Sequence, residues 1–235
     1  MSVVLVTGGT GAIGAAIAGE FSRTDDVIFT YNSDGEKARA LKEKLGCGCV
    51  RMDISDRASV NAAVSEVLKS YGHIDVLVNN AGISQIKLFG DITDDDWARM
   101  ISVNLTGCFN VTQEVLKSMI SRKSGAIVNI SSVWGVHGAS CEVHYSAAKA
   151  GVIGMTKALA KEVGLSGVTV NCIAPGVIDS PMNSAHLSTE ELSELAEQTP
   201  VGRLGRPDEV AKAVRALAEN RFITGQILGV DGGFY

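Results

Sequence analysis

Residues 3–14 read Val3-Val4-Leu5-Val6-Thr7-Gly8-Gly9-Thr10-Gly11-Ala12-Ile13-Gly14. Four consecutive aliphatic side chains, three of them β-branched, suit a strand covered on both faces. Glycines then let the chain turn sharply and bring its backbone close to a bound group. The following Ala15-Ala16-Ile17-Ala18 favours a helix. Unpaired N–H groups at a helix start attract negative charge, so strand, glycine turn and helix in this order predict a pyrophosphate cradle. Any tight strand-to-helix turn wants glycine; the position behind the first strand is what raises the signal. On this reading Gly8, Thr10, Gly11, Ala12, Ile13 and Gly14 contact a dinucleotide.

The same rhythm continues outward. Short β-branched runs at 3–7, 27–31, 49–52, 76–79, 126–131, 169–173 and 226–229 alternate with helical patterns at 13–23, 36–45, 57–71, 94–119, 145–163 and 207–218. Such alternation predicts a single α/β domain over residues 1–235, a Rossmann-type doubly wound parallel sheet of about seven strands with helices on both faces. Residues 178–201 break the rhythm with an acidic helical stretch after a strand's carboxyl end, where a substrate lid would sit.

Composition limits the function classes. A net charge of −5 argues against nonspecific binding to nucleic acid or to an anionic membrane. Five cysteines, of which only Cys47 and Cys49 are close, do not complete a zinc tetrahedron, and reduced thiols in the cytoplasm are the expectation. The apolar N-terminal run lacks a basic flank and is too short for a signal peptide or a span.

The second strand ends at Tyr31-Asn32-Ser33. A carboxylate there would bond the ribose 2′-hydroxyl and favour NAD(H). The neutral residues admit a 2′-phosphate, with Ser33 or Lys37 as contacts, so NADP(H) is preferred; nearby Asp34 keeps NAD(H) possible. Asp53, behind the third strand with Ile54, reads equally as an adenine contact or as a helix-start carboxylate. Tyr145-Ser146-Ala147-Ala148-Lys149 puts a phenol and an ammonium four apart on one helix face. A phenol of pKa about 10 is a poor acid and base near neutrality, and a neighbouring cation would lower it. The pair alone reads equally as a surface helix pair. Its company adds the weight: Asn129-Ile130-Ser131-Ser132, Asn79-Asn80-Ala81-Gly82, Asn104 and Pro175-Gly176-Val177-Ile178 set polar residues at strand ends, the binding edge of an open α/β sheet.

In that order, these motifs resemble the short-chain dehydrogenase/reductase family over nearly the whole chain, out to Gly225–Gly233. The resemblance implies an oxidoreductase that moves hydride between a nicotinamide dinucleotide and a carbonyl/alcohol pair. It implies that Ser132 orients the carbonyl oxygen, that Tyr145 donates the proton, and that Lys149 lowers its pKa and holds the nicotinamide ribose. Asn104 would support a relay water. Asn80, Ala81 and Gly82 would flank the cofactor, Asp53 would meet the adenine, and Ile178 and Ser180, beyond Pro175 and Gly176, would meet the carboxamide. Ala12 departs from the glycine usual in the single-domain branch, and Ser180 stands where threonine is common.

Within the family, Gly202-Arg203-Leu204-Gly205-Arg206-Pro207 most resembles bacterial 3-oxoacyl-carrier-protein reductases of fatty acid biosynthesis. These would hold an acidic acyl carrier protein at the crevice mouth, where Arg122 and Lys123 are candidates and the neutral Leu165-Ser166-Gly167 is not. A second resemblance, in Ser132-Val133-Trp134-Gly135 and Gly138–Val143, is to reductases of the aminopentanone group on elongation factor P. There Glu142 would face an amine and Trp134 would wall the tunnel; a solvated Glu142 and a core Trp134 are the preferred chemical alternatives. Cys141 and Met182 complete the expected pocket, and His137 and His144 read as satisfied polar groups. A sugar or steroid alcohol dehydrogenase, and a catalytically silent nucleotide-binding regulator, remain alternatives. Apolar residues on more than one face of the 94–119 and 145–163 helices, including Val152, Ile153 and Met155, predict a homotetramer.

Overall fold

Val3–Val6 forms strand β1, buried along its whole length as its aliphatic run requires. In the computed structural model, residues 1–185 and 187–234 are described. From β1 the chain runs through α1 (Ala12–Phe21), β2 (Asp26–Tyr31), α2 (Gly35–Leu45), β3 (Gly48–Arg51), α3 (Arg57–Tyr71) and β4 (Val76–Asn79). Then come α4 (Asp94–Ile101), α5 (Gly107–Arg122), β5 (Gly125–Ile130), α6 (Val133–His137) and α7 (Val143–Val163). The chain closes with β6 (Val168–Pro175), α8 (Pro181–Ser184), α9 (Thr189–Gln198), α10 (Pro207–Glu219) and β7 (Ile227–Val230).

All seven strands pair in parallel, in the order β3-β2-β1-β4-β5-β6-β7. The winding reverses between β1 and β4, which opens a crevice at their carboxyl ends. Successive side chains of a strand point to opposite faces, so the sheet builds two cores. Val3, Leu5, Leu77 and Ile127 meet α3, α5 and α7 through Val64, Val111, Val115 and Val163. Val4, Val6, Phe29 and Val128 meet α1 and α10 through Ile17, Ala18, Val210 and Val214.

Local chemistry sets the helix limits. The Asp34 carboxylate accepts from Lys37 N–H at 2.9 Å to start α2, and Gly46 ends that helix at φ 64°. Asp56 caps α3 through Ala58 N–H, and a reciprocal pair between Thr93 and Asp96 starts α4. Every expected strand is present, with ends shifted by no more than two residues. The continuous helix expected over 94–119 is instead interrupted by a π turn, Ser102–Thr106, between α4 and α5. The expected lid segment holds two helices, α8 and α9.

Candidate active site

A cavity of about 1020 Å³ opens along the carboxyl ends of the strands. At one end the glycine turn forms its floor. Gly8 adopts φ 66°, and a Cβ on Gly14 would stand 2.3 Å from the Gly8 carbonyl oxygen. The turn closes only with glycine at both places. No side chain caps the start of α1, and Thr10, Gly11, Ala12, Ile13 and Gly14 all line the cavity. A bare backbone cradle with uncapped helix N–H groups fits a pyrophosphate.

Tyr31, Asn32, Ser33, Asp34 and Lys37 line the next part, beneath β2. The Asp53 carboxylate accepts from Ser55 N–H at 2.9 Å and Ser55 O–H at 2.6 Å, and bonds Asn32. The Ser55 bond holds it below the ordinary carboxylate pKa, against a smaller upward push from burial. Asp56 already caps α3, so Asp53 bridges the β2 and β3 loops at the cavity wall, with Ile54 beside it.

The loop after β4 is fixed from below. Thr7 Oγ1 accepts from both Asn80 N–H and Ala81 N–H, while the Asn80 amide donates to the Thr7 and Gly8 carbonyls. Asn104, on the π turn, is buried and uses both ends of its amide on Ile83: its Nδ2 donates to Ile83 O at 2.9 Å, and its Oδ1 accepts from Ile83 N–H at 3.1 Å. The Asn104 side chain therefore clamps the cofactor-side loop. A Cβ on Gly82 would lie 2.5 Å from Asn104 Oδ1 and 3.4 Å from Lys149 Nζ, so three of the expected site residues converge here.

Ser132, Tyr145 and Lys149 line the same cavity, brought together by the end of β5 and the first turns of α7. The Tyr145 hydroxyl bonds Ser132. Lys149 Nζ donates to the Ile130 carbonyl at 3.0 Å and lies 5.7 Å from the centre of the Tyr145 ring. Lys149 is buried and Tyr145 half-buried on the cavity wall, and desolvation pushes the Lys149 ammonium down and the Tyr145 phenol up to about 12. Ser132 pulls the phenol down and Glu142 pushes it up. Within the chain itself, burial outweighs the pull of Ser132 on the phenol.

Other expectations need correction. Asn79 and Asn129 do not face the crevice: Asn79 Nδ2 donates to Asn129 Oδ1 and Thr112 Oγ1, each at 2.8 Å, and Asn129 Nδ2 to Thr156 Oγ1 at 2.9 Å, all buried. They tie the sheet to α5 and α7. Arg122 pairs with Asp75 at 2.5 Å and donates to the Ile74 carbonyl, ahead of β4. It and Lys123 therefore sit at the sheet's amino edge, opposite the crevice, and do not serve its mouth within one chain. Cys141 does not line the cavity; its backbone, at φ 62°, accepts from Lys87 N–H at 2.7 Å.

Trp134 and Glu142, by contrast, do line it. Trp134 is half-buried, edge-on to Phe234 with ring centres 5.8 Å apart, and so belongs to the wall rather than the core. Glu142 is half-buried rather than freely solvated, and burial raises its carboxyl to about 7. Pro175, Gly176, Ile178, Ser180 and Met182 line the cavity as expected. Sequence reasoning missed Ile86, Arg99, Leu187 and Leu195 on the wall. It also missed a chain in which Lys87 and the Gln85 amide both bond Asp96 while Gln85 Oε1 meets His144 Nε2 at 2.8 Å. The Thr93-x-x-Asp96 pattern, a capping-box signature, marked that helix start; nothing in the sequence marks the others. His144 is only half satisfied, since its Nδ1 is buried without a partner.

No group of His, Cys, Asp and Glu that could hold a metal occurs among the described residues, and none of their helices is long and apolar enough to cross a membrane.

A parallel sheet with this winding, a glycine cradle at its switch point, and a serine, tyrosine and lysine facing the same cavity define an oxidoreductase, and the chain belongs to the short-chain dehydrogenase/reductase family. A family model described as enoyl-(acyl carrier protein) reductase matches residues 9–235. Among curated relatives, the 3-oxoacyl-[acyl-carrier-protein] reductase of Thermotoga maritima is 42% identical over 98% of this chain and 96% of its own length. That of Escherichia coli is 39% identical over 99% and 97%. An acetoacetyl-CoA reductase of Shinella zoogloeoides is 43% identical over 98% and 97%.

Proposed function

We propose that the chain reduces the ketone of a 3-oxoacyl thioester to a secondary alcohol with NADPH. The observation that carries this reading is the convergence of Ser132, Tyr145 and Lys149 on one cavity wall, next to a backbone cradle fitted to a dinucleotide. The names of the relatives supply the substrate class, and because they include both carrier-protein and coenzyme A reductases, the thioester is the shared feature.

The nicotinamide dinucleotide supplies the hydride when bound. Its pyrophosphate would rest on Gly8 to Gly14, its adenine side against Asp53 and Ile54, and its nicotinamide side against Asn80, Ala81, Gly82, Ile178 and Ser180. Ser132, already bonded to the Tyr145 hydroxyl, orients the ketone oxygen. Tyr145 gives that oxygen its proton as the carbon gains hydride. Lys149 lies close enough to stabilise the phenolate left behind, and its own burial strengthens that attraction. The preference for NADPH is supported by the neutral Tyr31-Asn32-Ser33, by Lys37 on the wall, and by Asp34 being engaged at the start of α2. Arg51 Nε, bonded to the Asn32 carbonyl at 3.0 Å, adds positive charge beside that corner.

A second reading rests on a specific observation. Glu142 and Trp134 give the wall a carboxylate and an aromatic face, a combination that favours an ammonium group. It fits a ketone bearing an amine, as on the aminopentanone-modified elongation factor P. NADPH consumption against ketoacyl thioesters, simple ketones and aminopentanone-bearing protein separates the two. In either case Tyr145→Phe is expected to lower turnover by about 100-fold or more while cofactor affinity is kept; unaffected turnover would remove the reductase reading. Lys37→Ala is expected to raise the KM for NADPH about tenfold and leave that for NADH unchanged.

A further inference from the structure

Glu142 occupies an unusual place. It precedes α7, where a carboxylate ordinarily accepts the free N–H groups of the helix start, yet no side chain caps this helix. Its backbone is aimed by a non-glycine residue in the left-handed region: Cys141 at φ 62°, pinned by Lys87 N–H on its carbonyl at 2.7 Å. That conformation is uncommon for a side chain larger than glycine and persists only where its surroundings impose it. The result is a half-buried carboxylate on the cavity wall, in no hydrogen bond or ion pair with any described residue. Tyr145 stands three residues further on and lines the same cavity.

We propose that Glu142 sets the pH window of the reaction: its carboxylate opposes a second negative charge on the Tyr145 phenol and holds that phenol in its proton-donating form to higher pH. It acts through Tyr145, as a positioning residue for charge. This inference rests on the reductase reading of the site. The charged groups that bear on it among the described residues are few. Asp34, Lys37 and Asp53 belong to the end of the cavity under β2 and β3; Arg99 of α4, Glu142 and Lys149 are the others on the wall. Lys149 gives one N–H to the Ile130 carbonyl and its charge favours the phenolate, against Glu142, while Lys87 and Asp96 pair with one another and neutral His144 meets Gln85. The covering residues Met182, Asn183, Leu187 and Leu195 carry no charge, and nor do Ser132 and Trp134 opposite. Burial places the Glu142 titration near 7, so its charge is present in the alkaline range where the phenol would ionise.

A fixed charge cannot alter the overall equilibrium between ketone and alcohol. It moves the limbs of both pH profiles together, since reduction needs the phenol and oxidation the phenolate. The experiment compares the native chain, Glu142→Gln and Glu142→Asp with a neutral ketone and NADPH, and with the matching alcohol and NADP⁺, across the alkaline range. In Glu142→Gln the falling limb of reduction and the rising limb of oxidation are expected to move to lower pH by about half a unit or more, with Glu142→Asp close to native. Tyrosinate absorbance of the NADP⁺ complex, taken as the difference from Tyr145→Phe, is expected to move likewise. Unmoved limbs with an unmoved tyrosinate titration overturn the proposal. The optical titration needs no turnover, so a chain that reduces no ketone would refute the reductase reading without deciding this one.

Discussion

Glu142 also ties the site to stability. Its carboxyl is raised by burial from 4.5 to about 7 in the folded chain, so the folded state binds the proton more tightly than the unfolded one. Stability is then lost as pH rises from about 4.5 through about 7, and stays lost above. Glu142→Gln, which mimics the protonated form, is expected to be more stable than native at pH about 8 by on the order of 1 kcal/mol, after allowance for its partial exposure, and equal below about 4.5. Urea denaturation at the two pH values checks this; equal midpoints at both would refute it. At Gly82, by contrast, the constraint is steric. Gly82→Ala would push its methyl into Asn104 and toward Lys149, and kcat is expected to fall on the order of 10- to 100-fold with the fold retained. At this scale the sequence marked Ser132, Tyr145 and Lys149, which the fold brings to one cavity, because their side-chain types are distinctive. The direction of Glu142 was not, because a positive φ at a cysteine leaves no mark in the sequence.

The strands were legible as short continuous β-branched runs and the longer helices through their period of 3.6, and the caps at Asp34, Asp56 and Thr93 show why helices begin where they do. The π turn at Ser102–Thr106 escaped because one extra residue in a long helix scarcely disturbs its apolar spacing. Its position matters, since it carries Asn104 to Ile83 and so holds the loop after β4. The buried asparagine ladder escaped for another reason: a polar residue near a strand end reads equally as facing a crevice or facing a helix. Asn79, Asn129, Thr112 and Thr156 link β4 and β5 to α5 and to α7, the helix that bears Tyr145 and Lys149. Asn129→Ala removes the middle member and strips partners from buried polar groups on both sides. It is expected to cost about 2–3 kcal/mol, read from the denaturation midpoint. A loss of less than about 0.5 kcal/mol would mean that the ladder relaxes into other partners.

Parallel strands buried on both faces account for the whole molecule's two cores, and the reversal at β1 and β4 accounts for where its cavity lies. What one chain cannot specify is which apolar surface is meant for a second copy. Val152, expected at such an interface, is already buried within the chain. Among the exposed apolar side chains, Leu88 and Phe89 lie ahead of α4, Trp97 on it, Phe109 on α5 and Val143 at the start of α7. Trp97 and Phe109 are 43% and 44% exposed, more than a soluble surface tolerates as a group unless something covers it. Helix pairing across a two-fold axis would bury these residues and leave the crevice open on the other side. The homotetramer proposed from the sequence is therefore expected to use α4 and α5 at one of its interfaces. Phe109→Lys puts a charge on α5 beside Arg57, whose guanidinium lies 5.2 Å from the Phe109 ring. Two neighbouring cations would oppose association, so light scattering should report smaller species for this variant than for the native chain at the same concentration. A native chain that scatters as a monomer at micromolar concentration would refute the assembly, and an unchanged oligomer in Phe109→Lys would move its interface away from α5.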